Sequence, residues 1–360
     1  MFLFSTLQVG AENVFKNEVK RLFPDWHAAF ARPGFVSFKT GGNVSADTLQ
    51  TASVLARTSA ESFGKIDAEN NESLADALWK LIAGRHLFIN RVHCFRRDPF
   101  PPGEKGYEPG LTAGLIERHR IIVQSCPQPK LFGKNAADAA QPAVPGETIL
   151  DVLEIDAGQF IAGVHRITDH SPQQDYYAGG VVPLQMPAGT VSRAWLKFEE
   201  GLRWSGFNIG ADSVCIDIGS SPGGCSQVLL SRGAKVFGID PGEMHETVLQ
   251  QANFTHVRRR VREVKRSLFS AADYVFADLN VAPNYTLDVI EEITALAGSR
   301  LKGAIFTLKL IHWNLVEEIP QYIERLQQCV KKNDSGAVRM KQLAFNRQEI
   351  MAAVRMDCTK

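Results

Sequence analysis

Between residues 214 and 242 an apolar run, Val214-Cys-Ile-Asp-Ile218, gives way to Gly219-Ser-Ser-Pro-Gly-Gly224, and a second apolar run, Lys235-Val-Phe-Gly-Ile239, closes on Asp240-Pro-Gly. A strand, a glycine turn that opens a helix, and a second strand ending in an acid form one half of a doubly wound α/β sheet. Where the first strand meets the first helical turn, backbone N–H groups lack partners and can receive a polar ligand. Gly219, Gly223 and Gly224 keep that turn tight and leave the main chain open to close approach. Asp240, 23 positions after Asp217, stands at the next strand end, where its carboxylate can accept hydrogen bonds from both hydroxyls of a ribose. The unit is expected to hold an adenosine-like molecule on Gly219, Ser221, Pro222, Gly223, Gly224 and Asp240.

The dinucleotide fingerprint requires Gly-x-Gly-x-x-Gly, and here Ser221 and Pro222 occupy positions where that pattern needs backbone freedom. Proline fixes its own φ and offers no N–H, so a pyrophosphate would be poorly cradled. S-adenosylmethionine carries no phosphate and suits the turn better. Taken alone, the turn could also be an ordinary strand-to-helix connection.

At 360 residues the chain is long enough for two or three domains. A hydrophobic share of 44%, a charged share of 22% and a net charge of +1 describe a globular chain without a global basic field. Nucleic-acid contact must then come from local patches. No apolar run approaches a membrane span, and Met1-Phe-Leu-Phe-Ser-Thr lacks a basic leader, so a cytoplasmic chain with no membrane partner is expected. The six cysteines (Cys94, Cys126, Cys215, Cys225, Cys329 and Cys358) show no Cys-x-x-Cys pair, which fits reduced thiols rather than a disulfide frame or a zinc site. Metal is not implied.

The first forty residues read as strand, helix and strand: Phe2 to Leu7, Glu12 to Leu22, and Gly34 to Lys39. Further expected elements are a helix over 73–82 capped by Ser73, a strand from His86 to Phe95, a helix within 111–126, and a hairpin at 148–155 and 159–165. The prolines and glycines of 177–190 read as a linker. Beyond it helix and strand alternate: a helix at 192–204, strands at 214–218, 235–239, 274–277 and 304–308, helices at 224–232, 287–297 and 315–330, and a closing strand pair at 338–345 and 349–356. That alternation implies a mostly parallel sheet with an antiparallel edge and its ligand at the strands' carboxyl ends.

Four charged residues fall on that rim: Lys197 on the helix before the first strand, Asp278 ending Tyr-Val-Phe-Ala-Asp, Lys309 ending Ile-Phe-Thr-Leu-Lys, and Glu349 opening the last strand. A lysine at an apolar strand end is unusual, because lysine is rarely buried without a partner. Singly, each could be a snorkelling, capping or surface charge; together beside the glycine turn they suggest a catalytic group.

Residues 192 to 356 resemble the FtsJ-like family of S-adenosylmethionine-dependent RNA ribose 2′-O-methyltransferases, whose mark is a Lys-Asp-Lys-Glu tetrad. Ser192-Arg-Ala-Trp-Leu-Lys-Phe-Glu-Glu, Ser221-Pro-Gly-Gly, Thr307-Leu-Lys-Leu and Lys341-Gln-Leu-Ala-Phe-Asn-Arg-Gln-Glu-Ile resemble in particular the RlmM type, which acts on 23S ribosomal RNA. The resemblance implies a Rossmann-like class I methyltransferase domain over 192–360. Before it would come a ferredoxin-like portion over 1–60, a THUMP-like RNA-capturing region over 61–178 and a linker over 179–191. It implies S-adenosylmethionine as cofactor, with Asp278 also at the cofactor, and RNA, ribosomal or a ribosomal precursor, as partner. Lys309 would be the general base, which calls for a lowered pKa that desolvation and a neighbouring positive charge such as Lys197 or the sulfonium can provide, while Asp278 and Glu349 would orient the lysines and the ribose.

The chain departs from the family pattern at three points. Cys225 stands where a bulky tryptophan commonly follows Pro-Gly-Gly, Arg260 where an acid would meet the adenine amino group, and Ala194 at a serine-like position. An arginine cannot accept that hydrogen bond. These departures keep open an RNA-binding chain without methyl transfer; a methyltransferase acting on a small molecule is a further alternative. The basic run Arg258 to Arg266 reads either as a phosphate contact or as a solvated face. Trp313 suits core packing, and Tyr285 could pack or stack on a base.

Overall fold

The computed structural model describes residues 1–42, 45–85, 87–107, 109–127, 138–330 and 336–356. The chain forms two compact units, Met1–Pro183 and Leu184–Lys360. Among the described residues no helix is long and apolar enough to cross a membrane. His86 and Cys358, named above, lie outside them.

The first unit runs β1 (Phe2–Thr6), α1 (Glu12–Leu22), β2 (His27–Arg32), β3 (Phe35–Lys39), α2 (Ala46–Ala52), β4 (Thr58–Asp67), α3 (Asn71–Ile82), β5 (Arg91–Arg96), α4 (Ala113–Gln124), β6 (Thr148–Asp156) and β7 (Gln159–Arg166). Its seven strands make one sheet in the order β2-β3-β1-β4-β7-β6-β5. Leu74, Leu78 and Trp79 of α3 and Leu115 and Ile122 of α4 bury one face against Val92, Leu150 and Val152. The helix expected at 73–82 starts earlier. Asn70 caps it by accepting the Ser73 N–H at 2.8 Å, and Ser73 answers from the third helical position by accepting the Asn70 N–H at 3.2 Å, a reciprocal capping box.

The second unit runs α5 (Ala194–Ser205), β8 (Val214–Ile218), α6 (Gly224–Leu230), β9 (Lys235–Ile239), α7 (Glu246–Leu249), β10 (Phe254–Val257), α8 (Arg266–Phe269), β11 (Tyr274–Ala277), α9 (Pro283–Ala297), β12 (Gly303–Lys309), α10 (Ile319–Val330), β13 (Ala337–Lys341) and β14 (Glu349–Arg355). The sheet order is β10-β9-β8-β11-β12-β14-β13. β8 to β12 pair in parallel, and β14 and β13 add an antiparallel edge. Phe198 and Leu202 of α5 and Val228 and Leu229 of α6 share a core with Cys215, Phe276, Ile305 and Met351. Burying such side chains contributes roughly 1.5–3 kcal/mol each relative to exposure.

Strand order reverses at β8, whose neighbours are β9 on one side and β11 on the other. In open α/β sheets the crevice at such a reversal is where ligands bind. The glycine turn after β8 and Asp278 after β11 both open onto it.

Candidate active site

Each of the four rim charges reaches the site from a different element. Lys197 lies on α5, Asp278 follows β11, Lys309 ends β12 and Glu349 begins β14. The antiparallel register pairs Lys309 directly with Glu349, and the parallel register sets Ala277 against Phe306, so Asp278 falls beside Thr307. Topology alone therefore brings three of the four together.

Asp278 is the hub. Its Oδ2 accepts from Lys197 Nζ at 2.6 Å, and its Oδ1 accepts from Lys309 Nζ at 2.6 Å and from Thr307 Oγ1 at 2.7 Å. Glu349 takes Lys309 Nζ on Oε2 and Lys197 Nζ on Oε1 at 3.1 Å. Two ammoniums and two carboxylates form a closed ring, with the Glu349 side chain only 4% exposed. Charge-assisted bonds of this kind are roughly twice as strong as neutral ones.

Burial alone would raise the pKa of Asp278, but Lys197 and Lys309 outweigh it and hold the carboxyl far below its ordinary value. Burial alone would pull Lys309 down; Asp278 and Glu349 outweigh that too, and the ammonium is held above the ordinary lysine value. This corrects the expectation of a lowered pKa at Lys309. The neighbouring positive charge of Lys197 is present, but two carboxylates stand closer to Lys309 and on balance stabilise its proton.

An open cavity of about 650 Å³ lies over the tetrad, with Arg193, Asn280, Ile311 and Arg347 among its lining residues. Ile311 is 60% exposed at its wall. Such a surface, cationic and apolar by turns above a ring of acids and amines, suits a polyanion that presents an uncharged hydroxyl.

The cofactor residues gather at the turn after β8. The Ser221 N–H reaches Asp240 Oδ2 at 3.2 Å and the Gly242 N–H reaches Oδ1 at 2.6 Å, which fixes the half-buried Asp240 carboxylate and leaves it further lone pairs. Ser221 Oγ donates to the Glu243 carbonyl at 2.6 Å, and the Ser221–Pro222 peptide bond is cis. Gly219 has φ +75° and a Cβ there would lie 2.7 Å from the Asp278 carbonyl oxygen; Gly223 has φ +124° and a Cβ would lie 2.6 Å from Val248 Cγ2. Under the turn, Asp217 is fully buried. Its Oδ2 accepts from Ser226 Oγ at 2.6 Å, while its Oδ1 has no hydrogen-bond partner. Burial pushes Asp217 up to about 7 against the pull of the Ser226 and Cys225 hydrogen bonds. A bare turn, an acid at the β9 end and an orphaned polar atom beneath them fit a polar nucleoside and offer no phosphate cradle.

Of the three departures, Cys225 is buried in the core and Arg260 is exposed, its N–H bonded to Glu263 Oε2 at 3.2 Å. Ala194 lines the cavity. In the basic run Arg258 meets Glu243 at 3.5 Å and Arg266 meets Glu292 at 3.4 Å, while Arg262 stacks over Tyr285 at 4.6 Å. Trp313 is half-buried.

Thr307 and Glu200 were not singled out from the sequence. Thr307 lies two residues before Lys309 on the same strand face, a signal that period-2 reading can catch. Glu200, three residues after Lys197 and so on its face of α5, is buried and accepts the N–H groups of Ala344 at 3.1 Å and Phe345 at 2.9 Å. It anchors the turn that leads into Glu349.

Residues 190–339 match the family model described as FtsJ-like methyltransferase. Ribosomal RNA large subunit methyltransferase M of Edwardsiella ictaluri (strain 93-146) is 28% identical over 224 residues, 59% of this chain and 56% of that protein. Its namesake in Sodalis glossinidius (strain morsitans) is 27% identical over 236 residues, 61% and 62% of the two chains. The matches span less than two thirds of the length of these relatives. Among solved structures, TrmN from Thermus thermophilus is 14% identical over 98% of this chain and 99% of that one, with a TM-score of 0.34. The residues that match this family model, 190–339, carry three members of the charge ring and the glycine turn, and are similar to an FtsJ-like methyltransferase domain.

Proposed function

We propose that the chain is an S-adenosylmethionine-dependent RNA ribose 2′-O-methyltransferase acting on ribosomal RNA or a precursor of it. The observation that carries this reading is the ring in which Lys197 and Lys309 share the Asp278 carboxylate beside the glycine turn. The names of the relatives point to the large ribosomal subunit. RNA capture falls to the N-terminal residues, a ferredoxin-like portion over 1–60 and a THUMP-like region over 61–178; their mixed strand and helix make-up supports this. A cytoplasmic location accords with such a substrate.

Gly219, Ser221, Pro222, Gly223, Gly224, Asp240 and Asp278 would hold the cofactor, which supplies an activated methyl on a sulfonium centre. Lys309 is the general base. Its ammonium must first shed a proton, a loss that Lys197 on the other oxygen of the same carboxylate eases by repulsion. Neutral Lys309 would then accept the proton of the ribose 2′-hydroxyl as that oxygen takes the methyl from the sulfur of the bound cofactor, which leaves as the neutral thioether. Asp278 and Glu349 fix the amine's direction, and Arg193 and Arg347 at the cavity wall suit flanking phosphates. Positioning of oxygen against carbon supplies much of the rate.

A second reading, an RNA-binding chain without transfer, is favoured by the carboxylates that keep Lys309 protonated. One assay separates the two. Labelled methyl incorporated into ribosomal RNA at an alkali-resistant linkage, and lost in Lys309→Ala with cofactor binding retained, supports the enzyme. Label confined to small solutes, or no cofactor binding at millimolar concentration, overturns it.

A further inference from the structure

The N-terminal unit holds a second cluster of ionisable side chains. His93 on β5 and Asp151 on β6 are register partners, and His165 on β7 stands opposite Ile149, two residues from Asp151 along the sheet. Strand alternation turns all three to one face, the face opposite Val92, Leu150 and Val152, which pack under α3 and α4. Asp151, His93 and His165 are 0%, 2% and 8% exposed. His165 Nδ1 meets Asp151 Oδ2 at 2.5 Å, yet His93 Nδ1, Asp151 Oδ1 and His165 Nε2 have no hydrogen-bond partner. Each unanswered buried polar group costs about 1–3 kcal/mol. Three such atoms on adjacent strands are hard to reconcile with a purely apolar packing role.

We propose that His93, Asp151 and His165 form a structural divalent-metal site whose best-matched ion is zinc. One ligating atom from each residue lies within 4.8 Å of the others. In a tetrahedral zinc sphere the donors stand roughly 3.3 Å apart, given bonds of about 2.0–2.1 Å, so closure asks for side-chain rotation and no strand movement. Two imidazoles and a carboxylate are a borderline N, N, O donor set that suits zinc over calcium or magnesium. Burial and the charge of His165 hold His93 well below the ordinary histidine value, which keeps its lone pair free. Asp47 on α2 and Asp175 add negative charge around His165, against Arg166 and an Arg91 already paired with Glu147 at 3.1 Å. Burial alone would lower His165, but Asp151, Asp175 and Asp47 outweigh it and hold the imidazole up to about 9, so a bound ion takes the place of that proton. Bound there, with a water at the fourth position, the ion would tie β5, β6 and β7 together. The ligands come from three strands separated by 58 and 14 residues, so no short His or Cys spacing betrays them.

The test is metal analysis of the purified full-length chain, followed by chelator treatment and titration with Co(II). About one zinc per chain and a four-coordinate Co(II) absorption at roughly 500–650 nm are expected, with zinc raising the melting temperature of the chelated protein by about 5 °C. His93→Ala and His165→Ala should abolish the Co(II) band, and the exposed His170→Ala should keep it. If the buried-site variants do not fold, the wild-type spectrum decides. A chain that neither retains zinc nor gives the band, or whose band survives in a folded His93→Ala variant, overturns the site and leaves a water-bridged polar cluster.

Discussion

Lys309 and Asp278 are joined at 2.6 Å across the carboxyl ends of two neighbouring parallel strands. The contact does two things at once. It aims the amine at the cavity, and with Glu349 it keeps that amine charged. A proposed base that rests as an ammonium makes the reaction depend on alkali.

The rate of methyl transfer should accordingly climb about tenfold per pH unit between pH 6 and 9, because the reactive neutral amine is the minor form below its raised pKa. Removing one of the groups that raise it, by Glu349→Gln, should move the whole limb to lower pH. Rate profiles of wild type and variant check this; coincident limbs would detach Lys309 from the rate.

Lys309→Met should lower the rate by roughly 10²–10⁴-fold while leaving affinity for S-adenosylmethionine nearly unchanged, since no glycine-turn residue is touched. Calorimetry with the cofactor beside a single-turnover assay separates the two effects.

Asp217 gives the C-terminal unit a pH-dependent stability. Its folded pKa, about 7, stands above the ordinary 3.8, so its contribution is full below pH 3.8 and is lost as pH rises through 7. Asp217→Asn should remove that slope, a difference on the order of 4 kcal/mol above pH 7. Urea unfolding at pH 5 and pH 8 measures it.

Glu200→Ala deletes both acceptors that hold the Ala344 and Phe345 N–H groups. The expected cost is about 3 kcal/mol of stability, with at least a tenfold loss of rate and little change in cofactor affinity. Glu200→Gln, which keeps one acceptor, should recover part of both.

Gly223→Ala places a Cβ 2.6 Å from Val248 Cγ2 at φ +124°. About 1–3 kcal/mol of strain should follow, read as a tenfold or greater weakening of cofactor binding by calorimetry.

Much of this architecture is legible in the sequence because its signals are local. Strands β8, β9 and β11 are mostly apolar runs, broken in β8 only by Asp217 and opened in β9 by Lys235, and the glycines of 219–224 mark the turn after the first. β2 and β10 escape such reading. The first is an exposed edge strand, His27–Arg32, and the second spans four residues, Phe254–Val257; neither buries enough of one face to leave a pattern. The four charges of the ring could be named one by one, but Lys309's ionisation could not, because it depends on the β12–β14 register that sets Glu349 against it. Glu200 is not singled out in the sequence, and its role shows only in its contact with a turn 144 residues away.

The antiparallel strand β14 has one more consequence, concerning how the chain is made. Glu349 is the last ring member to leave a ribosome, and until it does, two cationic side chains have only Asp278 between them. Any product of early termination or proteolysis that ends before residue 349 would carry the nucleoside turn yet lack the counter-charge that sets Lys309. In such a product Asp278 alone would stand between the two ammoniums, and Lys309 would hold its proton less firmly than in the closed ring.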